Sequence, residues 1–444
     1  MSVKVKRQRR LRATGVLAIS MLASAPAICG TFSALPSGSA ITYGGISSPH
    51  NLQTTMTNPA AASAFRRFGY SYSHGLLGVS VAAELGSVDD FLDELDDLEE
   101  ALEADDLTAQ EAQELKARFD DFLERAGRDG YVKIGVSAQP PFSPFVISVP
   151  ALAGTFSISA DAHALLKVEV IDDEIRIVDQ GNGKAELESD TSLLLTGGYA
   201  TRLSFGFGGP AHIGNGGTLF VGGTLNLWNA ELGRALAAVD DDRDDDDDDD
   251  AFDNLQDDFE DNSRSGSLAS VDAGVLWQAR QYQVGGYVRN LNAPSLRYPD
   301  LGEACTVQRS CDLANAFGDR IPGGGNFALE RQFTAEVGVH TTDRQWFVGA
   351  SLDLNDARDV AGDKQQWLSV AGGYKSSGRH WYLPGWRLGY RSNQSGSELT
   401  YYTAGLTFGR VLNIDVAQAT DTVEDDGDKV PRGAMVAISL EMPF

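Results

Sequence analysis

Only three cysteines occur in 444 residues, at positions 29, 305 and 311, and no Cys-x-x-Cys pair is among them. A thioredoxin-type redox role therefore has no support. The six histidines (50, 74, 163, 212, 340 and 380) are scattered, without the H-x-x-x-H or H-E-x-x-H spacing that zinc requires. No G-x-S-x-G elbow is present, which removes the α/β-hydrolase nucleophile. The "GNGK" at Gly181–Lys184 is too short for a phosphate loop and suits a hairpin turn. No nucleophile, base and orienting group can be named together; His340 and a serine such as Ser351 on the next strand could approach, as many such pairs would by chance. No catalytic residue, metal ligand or cofactor is expected. Basic residues are also scarce, 36 against 63 acids for a net charge of −27. Phosphate contacts need clustered Lys and Arg, so nucleic acid is excluded as a partner.

Past the first 30 residues no apolar run approaches the ~20 residues of a membrane helix. The start itself reads as a leader: Lys4, Lys6, Arg7, Arg9, Arg10 and Arg12, an apolar stretch from Ala13 to Ala23, then Ala25-Pro26-Ala27. Charge, short apolar core and small residues are the order of a secretory signal, placed at 1–27. Ile28 opposes a lipoprotein cleavage before Cys29. In an exported chain Cys305 and Cys311, in "CTVQRSC", are expected to form a small-loop disulfide. With no helical span, the chain is either soluble outside the inner membrane or crosses a membrane as a closed barrel.

What the sequence does contain is alternation. In "RQFTAEVGVH" the apolar positions are Phe333, Ala335, Val337 and Val339; in "RQWFVGASLDL" they are Trp346, Val348, Ala350, Leu352 and Leu354. "TLFVGGTLNLW", "SVDAGVLW" and "RFGYSYSH" behave alike. Period two over eight to eleven residues is a strand with one apolar face, and about fourteen to sixteen such segments follow Arg67. Mid-strand charges such as Asp272, Glu336 and Asp353 lie on the polar face. Trp228, Trp277, Trp346, Trp367, Trp381, Trp386 and Tyr401-Tyr402 fall near strand boundaries, where an interfacial girdle would place them. That placement favours a barrel with its apolar face toward lipid over a soluble sandwich.

Two acidic segments interrupt the pattern. From 87 to 127, Ser87 is the expected cap, with Asp89 and Asp90 in the first turn. Phe91, Leu92, Leu95, Leu98 and Leu102 form a helical stripe. "TAQE" (Thr108–Glu111) restarts the helix as a capping box, Leu115, Phe119, Phe122 and Leu123 continue the stripe, and Gly127 is placed to end it. The second insertion, 229–264, puts Leu232, Leu236, Phe252, Leu255 and Phe259 at helical spacing around a run of seven aspartates. That run is expected to stay solvated, without the spaced ligands of a calcium loop.

The chain closes on "MVAISLEMPF". An alternating last strand suits pairing with the first, and the terminal Phe444 resembles the signal read by bacterial barrel-assembly machinery.

At "MTNPAAAS" (56–63), with Asn58, Pro59 and Ala60 just before an aromatic first strand, the sequence resembles the fatty-acid-transporter-like (FadL-like) outer-membrane barrels. Within that group it is most similar to the TraF-type proteins of conjugal transfer operons. The Gly/Ala-rich "SGSAITYGGISS", the early acidic insertion and the corner Asn290-Leu291-Asn292-Ala293-Pro294 carry the likeness. The resemblance implies an all-β transmembrane barrel of about 14 antiparallel strands, with an N-terminal plug at 28–65 and barrel at 66–444. It also implies, for some members, passage of a small hydrophobic solute. The expected partners are outer-membrane lipid and the assembly machinery. Three readings stand: a passive channel or transporter, a conjugation-associated structural or docking component, and a soluble periplasmic β protein.

Overall fold

The computed structural model describes residues 37–65, 71–104, 107–181, 183–240, 251–301, 308–318, 320–321, 325–376 and 383–442. The expected leader, the seven-aspartate run, Trp381, Cys305 and Phe444 lie outside the described residues.

Alternation builds a closed cylinder. Its strands are β1 (Ser71–Leu85), β2 (Tyr131–Gln139), β3 (Phe145–Val149), β4 (Gly154–Ile171), β5 (Ser192–Gly214), β6 (Gly217–Ala238), β7 (Ser263–Gln278), β8 (Tyr282–Arg289), β9 (Gln332–His340), β10 (Trp346–Asp353), β11 (Trp367–Tyr374), β12 (Gly385–Asn393), β13 (Thr400–Phe408), β14 (Leu412–Ala419) and β15 (Gly433–Glu441). Apart from β2 and β3, which do not pair with each other, successive strands pair antiparallel around the barrel. β2 and β3 run in line between β1 and β4 and together make one stave, so the barrel has 14. β15 closes on β1, from Gly75 opposite Glu441 to Glu84 opposite Gly433. Closure leaves no unpaired edge, the condition for crossing lipid with strands.

The apolar face points outward. Val339 is 54% exposed and Leu388 58%, while the intervening Glu336, Asp353, Asp415 and Glu441 are buried inside. A soluble protein has the reverse distribution; here the apolar band faces lipid and the polar face lines the lumen. The aromatic girdle is only partly as expected. Trp346 and Trp386, 5.6 Å apart, point outward near the rim where the chain enters the barrel, and Tyr390 and Tyr402 form a second outward pair nearer the other rim. Trp228 and Tyr401 are instead buried inward, and Trp367 packs beside Tyr401. Each of these three sits on the luminal parity of its strand, next to a luminal arginine.

The helical insertions among the described residues lie at the rim opposite the chain's entry. There α4 (Phe91–Leu102) and α5 (Ala109–Asp129) bury Leu95, Leu98, Phe119 and Phe122 against the 176–188 hairpin, the tops of β5 and β6, and α6 (Ala251–Asp261). The apolar stripe thus packs within its own rim. Thr108 and Glu111 form the capping box. Two expectations shift. The cap of α4 is Asp90 rather than Ser87, because the Asp89 and Asp90 carboxylates accept backbone N–H groups of Glu424 and Asp426 on a neighbouring loop. Gly127 lies inside α5, which ends at Gly130; Asp172 approaches Gly127 so closely that a Cβ would sit 2.0 Å from its carboxylate.

The second insertion begins later than 229. β6 stays extended to Ala238, carrying Leu232 and Leu236, and among the described residues of the insertion only 251–261 is helical. A spacing of four fits period two as well as a helix. Both faces here are buried, one by the α4–α5 cluster and the other by Leu313, Ala314, Phe317 and Ile321, so no polar alternation marks the strand.

Candidate functional site: the luminal chamber

Residues 37–65 enter the lumen as three one-turn helices, α1 (Ala40–Tyr43), α2 (Leu52–Thr55) and α3 (Ala61–Ala64). Small side chains let this segment fill the bore, and its polar groups bind polar groups of the wall. Glu336 accepts from the Ser47 N–H at 2.7 Å, the Ser47 hydroxyl at 3.0 Å and Asn58 Nδ2 at 2.7 Å. Glu441 accepts from the Leu52 N–H at 2.8 Å and Asn51 Nδ2 at 3.2 Å. Asp415 accepts from the Thr42 hydroxyl and from Arg387. Hydrogen bonds to a charged acceptor are each worth roughly 1.5–3 kcal/mol, so three carboxylates on three strands moor the segment firmly.

Asn58, Pro59 and Ala60 lie where the segment crosses β6 and β7. Asn58 also donates to the Val275 carbonyl, and its own oxygen accepts from the Ala60 N–H. Close approach is possible because the wall offers Gly222 and Gly274. A Cβ at Gly222 would lie 2.3 Å from the Pro59 carbonyl oxygen, and one at Gly274 would lie 2.0 Å from Asn58 Oδ1.

Above this segment is a chamber of about 290 Å³. Its far side is covered by the β10–β11 loop, residues 354–366, which folds inward instead of away from the barrel. Asp359 and Asp363 reach Lys133 on β2, with the ammonium 2.8 Å from Asp363, and Asp363 also meets Lys167 on β4 at 3.0 Å. The Tyr298 hydroxyl donates to the Val360 carbonyl, fixing the loop a second time. Burial pushes the Asp363 carboxyl up, and the two ammonium groups more than offset it, leaving it below the usual carboxylate range. On the chamber wall Arg202 grips Asp161 with two nitrogens, and His163 Nε2 lies 2.9 Å from the same carboxylate.

The wall is interrupted beside that cluster. Between Gln139 and Phe145 the chain bulges outward and leaves the ladder. Ser143 bridges the gap, its hydroxyl donating to the Ala160 carbonyl and accepting from the Ala160 N–H, while Gly75 N–H donates to the Pro144 carbonyl. Outside lies a groove of about 900 Å³ floored by Ala138, Ala160 and Ala162 and flanked by Leu77 and Leu203. Gln139, Asp161, Arg202 and Trp228 border both the groove and the chamber, so this single layer separates them. On the luminal side Gln139 and Gln53 exchange amide hydrogen bonds, which ties α2 to the gap.

Other residues singled out in the sequence lie elsewhere. Cys311, on α7 (Gln308–Ala316) of the rim, is disulfide-bonded. Ser351 stands opposite Glu336, and His340 opposite Phe347, so the two are four positions apart along the ladder. The corner at Asn290–Pro294 folds back on β7: Asn292 accepts from the Val271 N–H and donates to the Ala269 carbonyl. Lys133, Asp363, Arg289 and Arg391 were not singled out by sequence; their only signal is a charge on the luminal parity of a strand or in a polar loop.

A family model described as "F plasmid transfer operon, TraF, protein" matches residues 55–353. No curated protein sequence matches the chain. Among solved structures it is similar to a Pseudomonas aeruginosa FadL homologue, with 11% identity, 93% of this chain and 98% of that chain covered, and a TM-score of 0.42. It is similar to the P. putida toluene transporter TodX at 13% identity, covering 93% and 100%, with a TM-score of 0.43. The Ralstonia pickettii toluene transporter TbuX gives 11%, 93%, 99% and 0.41.

Proposed function

This chain belongs to the family described as "F plasmid transfer operon, TraF, protein", and from that premise we propose that it is an outer-membrane barrel serving as a gated passage for small solutes. The chain's entry rim faces the periplasm and the helical rim faces outward. The observation that carries the reading is the chamber itself. It is bordered below by the moored segment 37–65, above by the inward loop 354–366, and at the side by one layer of residues behind a broken stave. Residues 37–65 act as the plug, with Asn58-Pro59-Ala60 as its seat.

A docking role in conjugation receives less support, because the apolar stripe of α4 and α5 is already buried within the rim. Deleting residues 87–127 tests it: loss of partner co-purification with an intact barrel would favour docking.

The passage reading is tested by reconstituting the barrel in planar bilayers and liposomes. Conductance or solute uptake that rises when the plug moorings are cut supports it. A tight seal in both the wild type and the variants with cut moorings would sink it.

A further inference from the structure

Two arginines of the chamber wall differ from the other inward-facing cations of the barrel. Lys133, Lys167, Arg202 and Arg387 each pair with a carboxylate. Arg289, on β8, and Arg391, on β12, line the chamber together with Arg202 and the loop residue Arg358, and the two wall residues Arg289 and Arg391 form no ion pair with any described residue. Arg289 donates one hydrogen bond, to the Tyr287 hydroxyl at 3.1 Å. Arg391 is 3% exposed, lies 4.4 Å over the Trp367 ring and gives one long hydrogen bond, 3.3 Å, to the Ile41 carbonyl. Its Nε has no partner, and neither does the Trp367 indole N–H beside it.

A buried guanidinium with unused donors is costly unless something completes it. Asp353, also on the chamber wall, already accepts from Thr334, Gln332 and the Trp367 backbone N–H. The plug packs closely on this side: Gly44 and Gly45 border the chamber, and a Cβ at Gly44 would stand 2.3 Å from Ser369 Oγ and 3.2 Å from Arg391 Nε. Apolar surface completes the cavity, from Trp228, Phe327 and Leu329.

We propose that the chamber binds a small organic carboxylate, its oxyanion held by Arg391 and Arg289 and its apolar body against Phe327, Leu329 and Trp228. Guanidinium groups match a planar carboxylate through paired N–H donors. A halide would leave most of a 290 Å³ chamber unfilled and the apolar wall without a partner. The inference rests on the passage reading only for the route by which the ligand enters.

The test is calorimetric titration of the whole folded barrel in detergent with benzoate, and with benzyl alcohol as the uncharged molecule of similar shape. Saturable benzoate binding is expected, at least tenfold weaker in Arg391→Gln, partly retained in Arg391→Lys, and with benzyl alcohol unaffected by either change. Heat-modifiable gel mobility checks that each variant folds; if Arg391→Gln does not, Arg289→Gln carries the test with a several-fold loss expected. Benzoate binding no tighter than benzyl alcohol, binding indifferent to both arginines, or displacement by equal inorganic phosphate would overturn the proposal. Benzoate binding without conductance retires the passage reading and leaves this one standing. Conductance without arginine-dependent binding does the opposite.

Discussion

Lys133 and Asp363, 230 positions apart in sequence, meet at 2.8 Å across the mouth of the barrel. The contact joins the β10–β11 loop to the opposite wall and makes that loop a lid. Asp363→Asn removes the charge that attracts both Lys133 and Lys167. Conductance of the reconstituted barrel is expected to rise several-fold, with the folded fraction unchanged; an unaltered conductance would mean that the loop does not gate.

The same pair sets a pH window. A carboxylate held below its usual range contributes stability above that range and loses it only as pH falls through its own lowered value. The Asp363 tether is therefore expected to hold from pH 8 down to pH 5 and to release only in acid below about pH 3.9, the ordinary carboxylate value, whereas Asp359 beside it, pushed up by burial, is protonated before it as pH falls. A conductance step between pH 5 and 8 would contradict this.

Glu336→Ala deletes three hydrogen bonds to the plug. At roughly 1.5–3 kcal/mol for each bond to a charged group, local opening should become at least tenfold more frequent. Hydrogen exchange at the Ser47 amide reads this directly, while the barrel's heat-modifiable mobility remains.

Gly274→Val should unseat the plug by sterics alone, since even its Cβ would overlap the Asn58 side chain. Protease cleavage around 57–62 and raised conductance are expected. Gly223→Ala is the control: its Cβ meets the Asp272 carbonyl oxygen at an ordinary 3.5 Å.

Phe119→Ala should cost about 3–5 kcal/mol, the usual figure for emptying a buried aromatic site. Phe119 belongs to the rim cluster, so the loss is confined there. Limited proteolysis is expected to digest the α4–α5 region and spare the strands.

Much of the cylinder was legible in sequence because one face of each strand had to be apolar. Val337 and Val339 lie outward and Glu336 inward, as their parity requires. The rim was harder to read. Where β6 is covered on both faces, Leu232 and Leu236 satisfy helix and strand periods equally, and the segment read as a helix is a strand. Trp228 and Trp367 carry the same letters as interfacial residues, and only their parity beside Arg202 and Arg391 turns them inward. The chamber itself was not visible. Its lid, its mooring carboxylates and its unpaired arginines come together through barrel closure, from positions hundreds of residues apart, and no local pattern records such meetings.

The bulge between Gln139 and Phe145 gives the cylinder a seam. Both parts of this stave pair with their neighbours, and Ser143 and the Pro144 carbonyl bridge the break between them. A hoop yields first at its missing rung. Bilayer thinning or lateral compression is therefore expected to deform the cylinder at this azimuth.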